Sequence, residues 1–180
     1  PSILENVRAK RPLVHNITNY VTANDCANLL LACGASPIMA DDPLEAEEVT
    51  ALSQGLHLNL GTPHSQTVPA VFASGRKANA LGLPIVLDPV GAGVSAFRRE
   101  TVQKLLDEIR FSAIRRNFSE FKALALGSES IRGVDAAAGD RITEENLDQA
   151  ISFAEAFARQ KNTVAAITGA IDLVTDGTKT

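Results

Sequence analysis

The sequence has no run of basic residues, no long apolar stretch, and two cysteines among 180 residues. Its 17 Lys and Arg are interspersed with 21 Asp and Glu, for a net charge of −4 and a pI of about 5.4. No positive stripe therefore offers an electrostatic footprint for DNA, RNA or an anionic membrane. No apolar stretch approaches the roughly 20 residues of a membrane span. The opening "PSILENVRAKRPL" lacks a signal-peptide core. Cys26 and Cys33 fall on one face of an expected helix, where they read as small buried apolar groups of a reduced, cytoplasmic protein. A zinc site needs clustered ligands, whereas His15, His57 and His64 are scattered and read as structural or exposed. No repeat or low-complexity segment stands out.

What is present is ordinary globular composition, 45% hydrophobic and 21% charged with mean hydropathy +0.04, enough for one domain with a sizeable core. Short apolar runs alternate with helical patterns. Strands are expected at Pro12–Thr18, Ser36–Ala40, Leu56–Thr62, Pro84–Val90, Phe111–Asn117 and Thr163–Thr168. Asp42-Pro43-Leu44-Glu45 offers an N-cap, a proline at the first helical position and an acid at N3. Thr143 is placed to cap "EENLDQAISFAEAFARQ", with Ile142 and Leu147 as a hydrophobic staple. Leu147, Ala150, Ile151, Ala154 and Ala158 form one apolar stripe at helical spacing. Such alternation predicts an α/β fold of three layers, α-β-α, with a largely parallel sheet. "DLVTDGTKT" reads as a hairpin turning at Asp176-Gly177 whose second strand has barely begun at Thr180, so the chain is expected to be incomplete at its C-terminal side.

In open α/β sheets ligands bind outside the carboxyl ends of the strands. Those ends here carry "NITN" (Asn16–Asn19), Met39 with "ADDP", "NLGT" (Asn59–Thr62), "DPVGAG", "RRNFSE" (Arg115–Glu120) and "TGAID" (Thr168–Asp172). Polar or glycine residues at six strand ends are more than loop composition explains. Asp88 is the sharpest case, because a carboxylate ending an apolar strand costs free energy unless it is paired or near a cation. It is either a cap or salt-bridged structural residue, or it faces a divalent cation beside glycines whose N–H groups approach phosphate oxygens. Glu120 is placed to supply a second acid, and Arg115 either neutralises a phosphate or makes a plain surface ion pair. "GAGVSA" (Gly91–Ala96) fits the dinucleotide-binding pattern G-x-G-x-x-A. That pattern also wants an acid ending the next strand, whereas Asp107 and Glu108 fall in a helix and the next strand ends near Arg115. The dehydrogenase reading loses.

The combination "PLVHNITNYV", "LLLACGASPIMADDP", "LNLGT", "LPIVLDPVGAGVSAFRRET", "AIRRNFSE", "RGVD" and "NTVAAITGAIDLVTDG" resembles the hydroxyethylthiazole kinase family, thiamine-salvage enzymes of the ribokinase-like group, over almost the whole chain. The resemblance implies one ribokinase-like kinase domain over residues 1–180. It implies ATP- and Mg²⁺-dependent phosphorylation of the primary alcohol of 4-methyl-5-(2-hydroxyethyl)thiazole. By motif, Asn19, Val21, Met39, Gly61 and Thr62 would line the thiazole pocket. Arg115 and Thr168 would contact ATP with Asn117 nearby, and Asp88 and Glu120 would hold Mg²⁺. It further implies a homotrimer with active sites at subunit interfaces. The alternatives are a related kinase of another small alcohol, such as a pyrimidine or a vitamin B6 form, and a non-catalytic protein that binds nucleotide or thiazole.

Three positions depart from the family pattern. Arg116 and Phe118 stand where the family usually has glycine and a smaller residue, and Ala170 replaces a frequent glutamate. Arg116 is expected either to crowd ATP or to point to solvent. The family's glycine-rich anion hole and catalytic residue are expected beyond Thr180, so the 180 residues alone are expected to be inactive or nearly so.

Overall fold

The computed structural model describes residues 2–126 and 141–180. The "RGVD" motif at 132–135 lies outside the described residues. The chain divides into two compact units, the first ending at Ile85 and the second running Val86–Thr180.

In the first unit, α1 (Ile3–Lys10) starts from a reciprocal cap: the Glu5 N–H donates to Ser2 Oγ (3.2 Å) and the Ser2 N–H donates to Glu5 Oε2 (2.6 Å). Then follow β1 (Leu13–Ile17), α2 (Ala23–Cys33), β2 (Ser36–Met39), α3 (Ala46–Leu52), β3 (Gly55–Asn59) and α4 (Val68–Leu81). β1 is central, parallel to β2 on one side and to β3 on the other. In β3, Leu56 and Leu58 are buried and alternate with half-buried His57 and Asn59. One strand face thus feeds the core while the other carries polar groups. α1 packs on α2, and α3 packs on α4 and β1.

The second unit begins within β4 (Ile85–Asp88), from Val86 on, and holds α5 (Ala96–Glu108), β5 (Ala113–Asn117), α6 (Phe118–Leu126), α7 (Leu147–Lys161), β6 (Val164–Thr168) and β7 (Leu173–Thr175). β4, β5 and β6 run parallel, with Leu87 opposite Ile114 and Ile114 opposite Ala165. Leu87, Ile114 and Ile167 are buried, each worth about 1.5–3 kcal/mol relative to exposure. Ala150, Ala154 and Ala158 of the expected stripe are buried on α7 and Phe157 joins them, its ring edge-on to Phe121 at 4.9 Å.

The fold class is α/β with mostly parallel strands, as the alternation of patterns requires, and all six expected strands form. Several local expectations are corrected. α3 begins at Ala46, after a turn in which the Asp42 carboxylate accepts the Leu44 N–H (2.8 Å) instead of capping the helix. Thr143 caps a single 3-10 turn, Glu144–Asn146, with Asn146 as its reciprocal partner, and α7 follows from there. Cys26 and Cys33 are half-exposed free thiols, because α2 buries none of its residues. β7 also pairs antiparallel with β6 through a reversal in Gly169–Asp172, a hairpin that the sequence pattern did not announce. The chain does bend at Asp176-Gly177 after β7, where the Asp176 side chain accepts the N–H groups of Thr178 and Lys179 and Gly177 adopts φ +91°.

Candidate functional site

The rim of the first unit is held by amides. Asn19, just beyond β1, accepts the N–H groups of Val21 (3.1 Å) and Thr22 (3.0 Å) through Oδ1, and its Nδ2 donates to Asn59 Oδ1 (2.9 Å). Asn59, the last residue of β3, also accepts the Gly61 N–H (2.8 Å). A Cβ added at Gly61 would meet Asn59 Oδ1 at 2.9 Å and Asn19 Cβ at 3.0 Å, which explains the glycine. Below lies a second layer, in which buried Asn16 bonds the Val14 carbonyl and accepts from His57 Nδ1 (3.2 Å). A small cavity of about 20 Å³ is lined by Ile17, Thr18, Tyr20, Asp41, Asn59 and Thr62, among others. The hydroxyls of Thr18 and Thr62 are buried with no hydrogen-bond partner among the described residues. That volume suits one water molecule, which such hydroxyls would bond. Val21 and Met39 line no part of it and stand on the surface, 76% and 40% exposed.

His15 fixes the loop that follows β2. Its Nε2 lies 2.6 Å from the Ala40 carbonyl and so carries the proton; its Nδ1 lies 2.8 Å from Thr50 Oγ1. Thr50 Oγ1 is also 2.8 Å from the Ala46 carbonyl, which Ser74 Oγ reaches at 3.2 Å. The ring is wholly buried, and burial pushes its pKa below the usual value against smaller opposing effects of the Ala40 carbonyl and Glu45.

The second unit builds its rim from charges. Asp88, closing β4, accepts from Arg115 Nη1 on the neighbouring strand at 3.1 Å. The bare carboxylate at the end of an apolar strand is thus paired, and the paired reading of Asp88 and the ion-pair reading of Arg115 describe the contacts present. Glu120, in the first turn of α6, accepts the Gly91 N–H (3.2 Å) on Oε1 and the Asn117 N–H (3.4 Å) on Oε2. Gly91 adopts φ +65°, a left-handed conformation that favours glycine. Its N–H, expected to approach a phosphate, serves Glu120.

Arg116 does not point to solvent. It is 2% exposed, donating from Nη2 to the Pro89 carbonyl (2.5 Å) and from Nη1 to the Glu120 carbonyl (3.2 Å), with Nε 3.8 Å from Glu120 Oε2. Alternation along β5 turns Arg115 outward and Arg116 inward. Burial lowers its pKa to about 10, while Glu120 and then Asp88 favour the charged form, so it stays a cation at neutral pH.

A cavity of about 270 Å³ opens at the carboxyl ends of β5 and β6, lined by Asn117, Phe118, Arg141, Ile142, Thr168, Gly169 and Ala170. Two of the three residues assigned to ATP, Asn117 and Thr168, meet there; Arg115 does not line it. Phe118 forms a wall, buried and edge-on to Phe153 at 5.9 Å, with Lys122 Nζ over its ring at 4.6 Å. Sequence reasoning missed Arg141, for which no motif gives a signal, and named Asn59 only as part of the polar end of its strand, without a role in the pocket. Among the described residues no three His, Cys, Asp or Glu side chains cluster for a metal, and no helix is long and apolar enough to cross a membrane.

Residues 4–180 match the model of the hydroxyethylthiazole kinase family. The chain is 53% identical over 98% of its length to a hydroxyethylthiazole kinase of Clostridium acetobutylicum and 51% identical over 96% to that of Desulfovibrio desulfuricans. It covers 64% and 60% of those proteins. A solved structure of a hydroxyethylthiazole kinase protein from Pyrococcus horikoshii aligns over 97% of the chain with a TM-score of 0.83 at 39% identity, the chain covering 62% of it.

Proposed function

The chain belongs to the hydroxyethylthiazole kinase family, and from that premise we propose that the protein phosphorylates the primary alcohol of 4-methyl-5-(2-hydroxyethyl)thiazole with ATP and Mg²⁺. In this reading residues 1–180 belong to one ribokinase-like kinase domain of a cytoplasmic enzyme. The observation that carries it is the 270 Å³ cavity bounded by Asn117 and Thr168 at adjacent parallel strand ends. Nucleotides bind at such ends in α/β sheets. Arg115, 56% exposed at its side chain, is able to exchange its Asp88 partner for a phosphate.

The residues present fit a magnesium ion in kind: two carboxylates, Asp88 and Glu120, are hard oxygen donors of the number usually joined by phosphate oxygens and water. Glu120 keeps capacity beyond its two N–H bonds, since a carboxylate offers about four lone-pair sites. When bound, the ion neutralises charge on the phosphates. The chain's own residues do the rest: Arg115 is placed to balance phosphate charge, Thr168 and Asn117 orient the nucleotide, and Glu120 holds the Gly91 turn.

The alcohol is assigned to the first unit, at Asn19, Val21, Met39, Gly61 and Thr62. The cavity at this rim has room for one water molecule and not for a thiazole ring, while Val21 and Met39 lie exposed. This supports a pocket completed by another copy, in a homotrimer with its active sites at subunit interfaces. The deciding experiment is ADP release from Mg-ATP with and without the thiazole alcohol, alongside the molar mass in solution. Thiazole-dependent release from a trimer is expected of a chain that spans the full length of its relatives, and little or none of residues 1–180 alone. Release that instead follows a pyrimidine or vitamin B6 alcohol assigns another substrate, and stoichiometric thiazole binding without release makes the protein a binder.

A further inference from the structure

Three side chains of the second unit hold three consecutive residues of the turn after β4. Arg116 Nη2 donates to the Pro89 carbonyl (2.5 Å), Arg98 Nη1 to the Val90 carbonyl (2.9 Å), and Glu120 Oε1 accepts the Gly91 N–H (3.2 Å). Arg116 also grips Glu120 itself, through its main-chain carbonyl and the approach of Nε to its carboxylate. The two acids assigned to the metal thus already face two guanidinium groups, Arg115 at Asp88 and Arg116 at Glu120.

These two cations differ in what they are free to do. The Arg115 side chain is 56% exposed and loses little by leaving Asp88. The Arg116 side chain is 1% exposed, and its leaving would strand Glu120 in a buried site. Its charge is a fixed part of the site.

We infer that Arg116 is a resident counter-ion and positioning residue that cancels the attraction of the Asp88–Glu120 pair for a free divalent cation. The cation is then retained only when a nucleotide's phosphates bring negative charge of their own. This rests on the nucleotide reading above.

The test uses Mn²⁺ as a paramagnetic probe, its free fraction read by electron spin resonance with and without a non-hydrolysable ATP analogue, and with retention of the analogue measured in parallel. Wild-type protein is expected to retain Mn²⁺ weakly alone and at least about tenfold more tightly with the analogue. Arg116→Met is expected to tighten nucleotide-free Mn²⁺ binding about tenfold or more, because removing a unit charge a few ångströms away changes the local energy by several RT. Arg116→Lys, which keeps the charge, is expected to behave as wild type. If Arg116→Met does not fold, as judged by circular dichroism, Arg116→Gln carries the same comparison while keeping a donor for the Pro89 carbonyl. Mn²⁺ binding that is equally tight with and without the analogue in wild type overturns the inference. So does a folded charge-removing variant that binds Mn²⁺ no more tightly. If none of the proteins retains the analogue, the nucleotide reading fails and takes the inference with it.

Discussion

The two units solve the same problem, holding polar groups at strand ends, with different chemistry. In the first, Asn19, Asn59 and the Gly61 N–H tie one another with neutral hydrogen bonds, and His15 is kept uncharged by burial. In the second, the carboxylates of Asp88 and Glu120 face the guanidinium groups of Arg115 and Arg116 in close ion pairs. Neutral amides fix a shape without creating a strong field, which suits a small uncharged ring bearing one hydroxyl. An exposed charge such as Arg115 can be re-partnered while Arg116 stays fixed, which suits a polyanion that arrives with its own cation. Under the proposed assignment, the difference teaches that a division between alcohol and nucleotide sites is written in electrostatics as much as in shape.

That contrast can be broken at its charged end first. Asp88→Ala and Glu120→Ala are each expected to lower thiazole-dependent ADP release by about 10²-fold or more, comparable to losing one preorganised electrostatic contact at a reacting group. Chelation with EDTA is expected to abolish release in wild type, and calorimetric binding of the thiazole alcohol should survive in both variants. Full activity and unaltered Mg²⁺ dependence in both would remove the metal assignment. At the neutral end, Gly61→Ala forces a Cβ against Asn59 and Asn19. An overpacking cost of about 1–3 kcal/mol should appear as a roughly tenfold or greater rise in KM for the alcohol, with the nucleotide KM unchanged. Equal changes in both constants would erase the proposed division.

The smallest effect sharpens the contrast through pH. His15 has its pKa lowered in the folded protein, so below about pH 6.5 the unfolded chain takes up a proton that the native ring refuses. Its contribution to stability is complete above that pH and is lost as the pH falls toward the native pKa. The slope is at most about 1.4 kcal/mol per pH unit. Urea unfolding at pH 7.5, 6.5 and 5.5, with the His15 ring followed by NMR, should show up to about 1 kcal/mol lost in the last step. A His15 signal that titrates at an ordinary value would contradict the burial argument.

Much of the fold was legible because its signals are local. Leu56 and Leu58 alternating with polar neighbours, or Ala150, Ala154 and Ala158 at helical spacing, announce their element without any knowledge of the rest. Turns were less legible. Asp42-Pro43 and Asp176-Gly177 carry strong turn chemistry, yet that chemistry does not say whether a helix starts, a hairpin closes or the chain merely bends. Cys26 and Cys33 were misplaced because α2 is apolar in composition while burying none of its residues within this chain.

By itself, the sequence determined the α/β alternation, the polar strand ends, and the motifs that place the chain in its family. These depend on periodicity and residue type, which are properties of short segments. Only the tertiary structure decided that Arg115 faces out and Arg116 in, that Asn59 bridges Asn19 and Gly61, and that Arg141 reaches the cavity with Asn117 and Thr168. Each of these joins residues far apart in the chain or turns on which strand face meets the core. Pairing of that kind is fixed by how the strands assemble and not by any stretch of sequence alone.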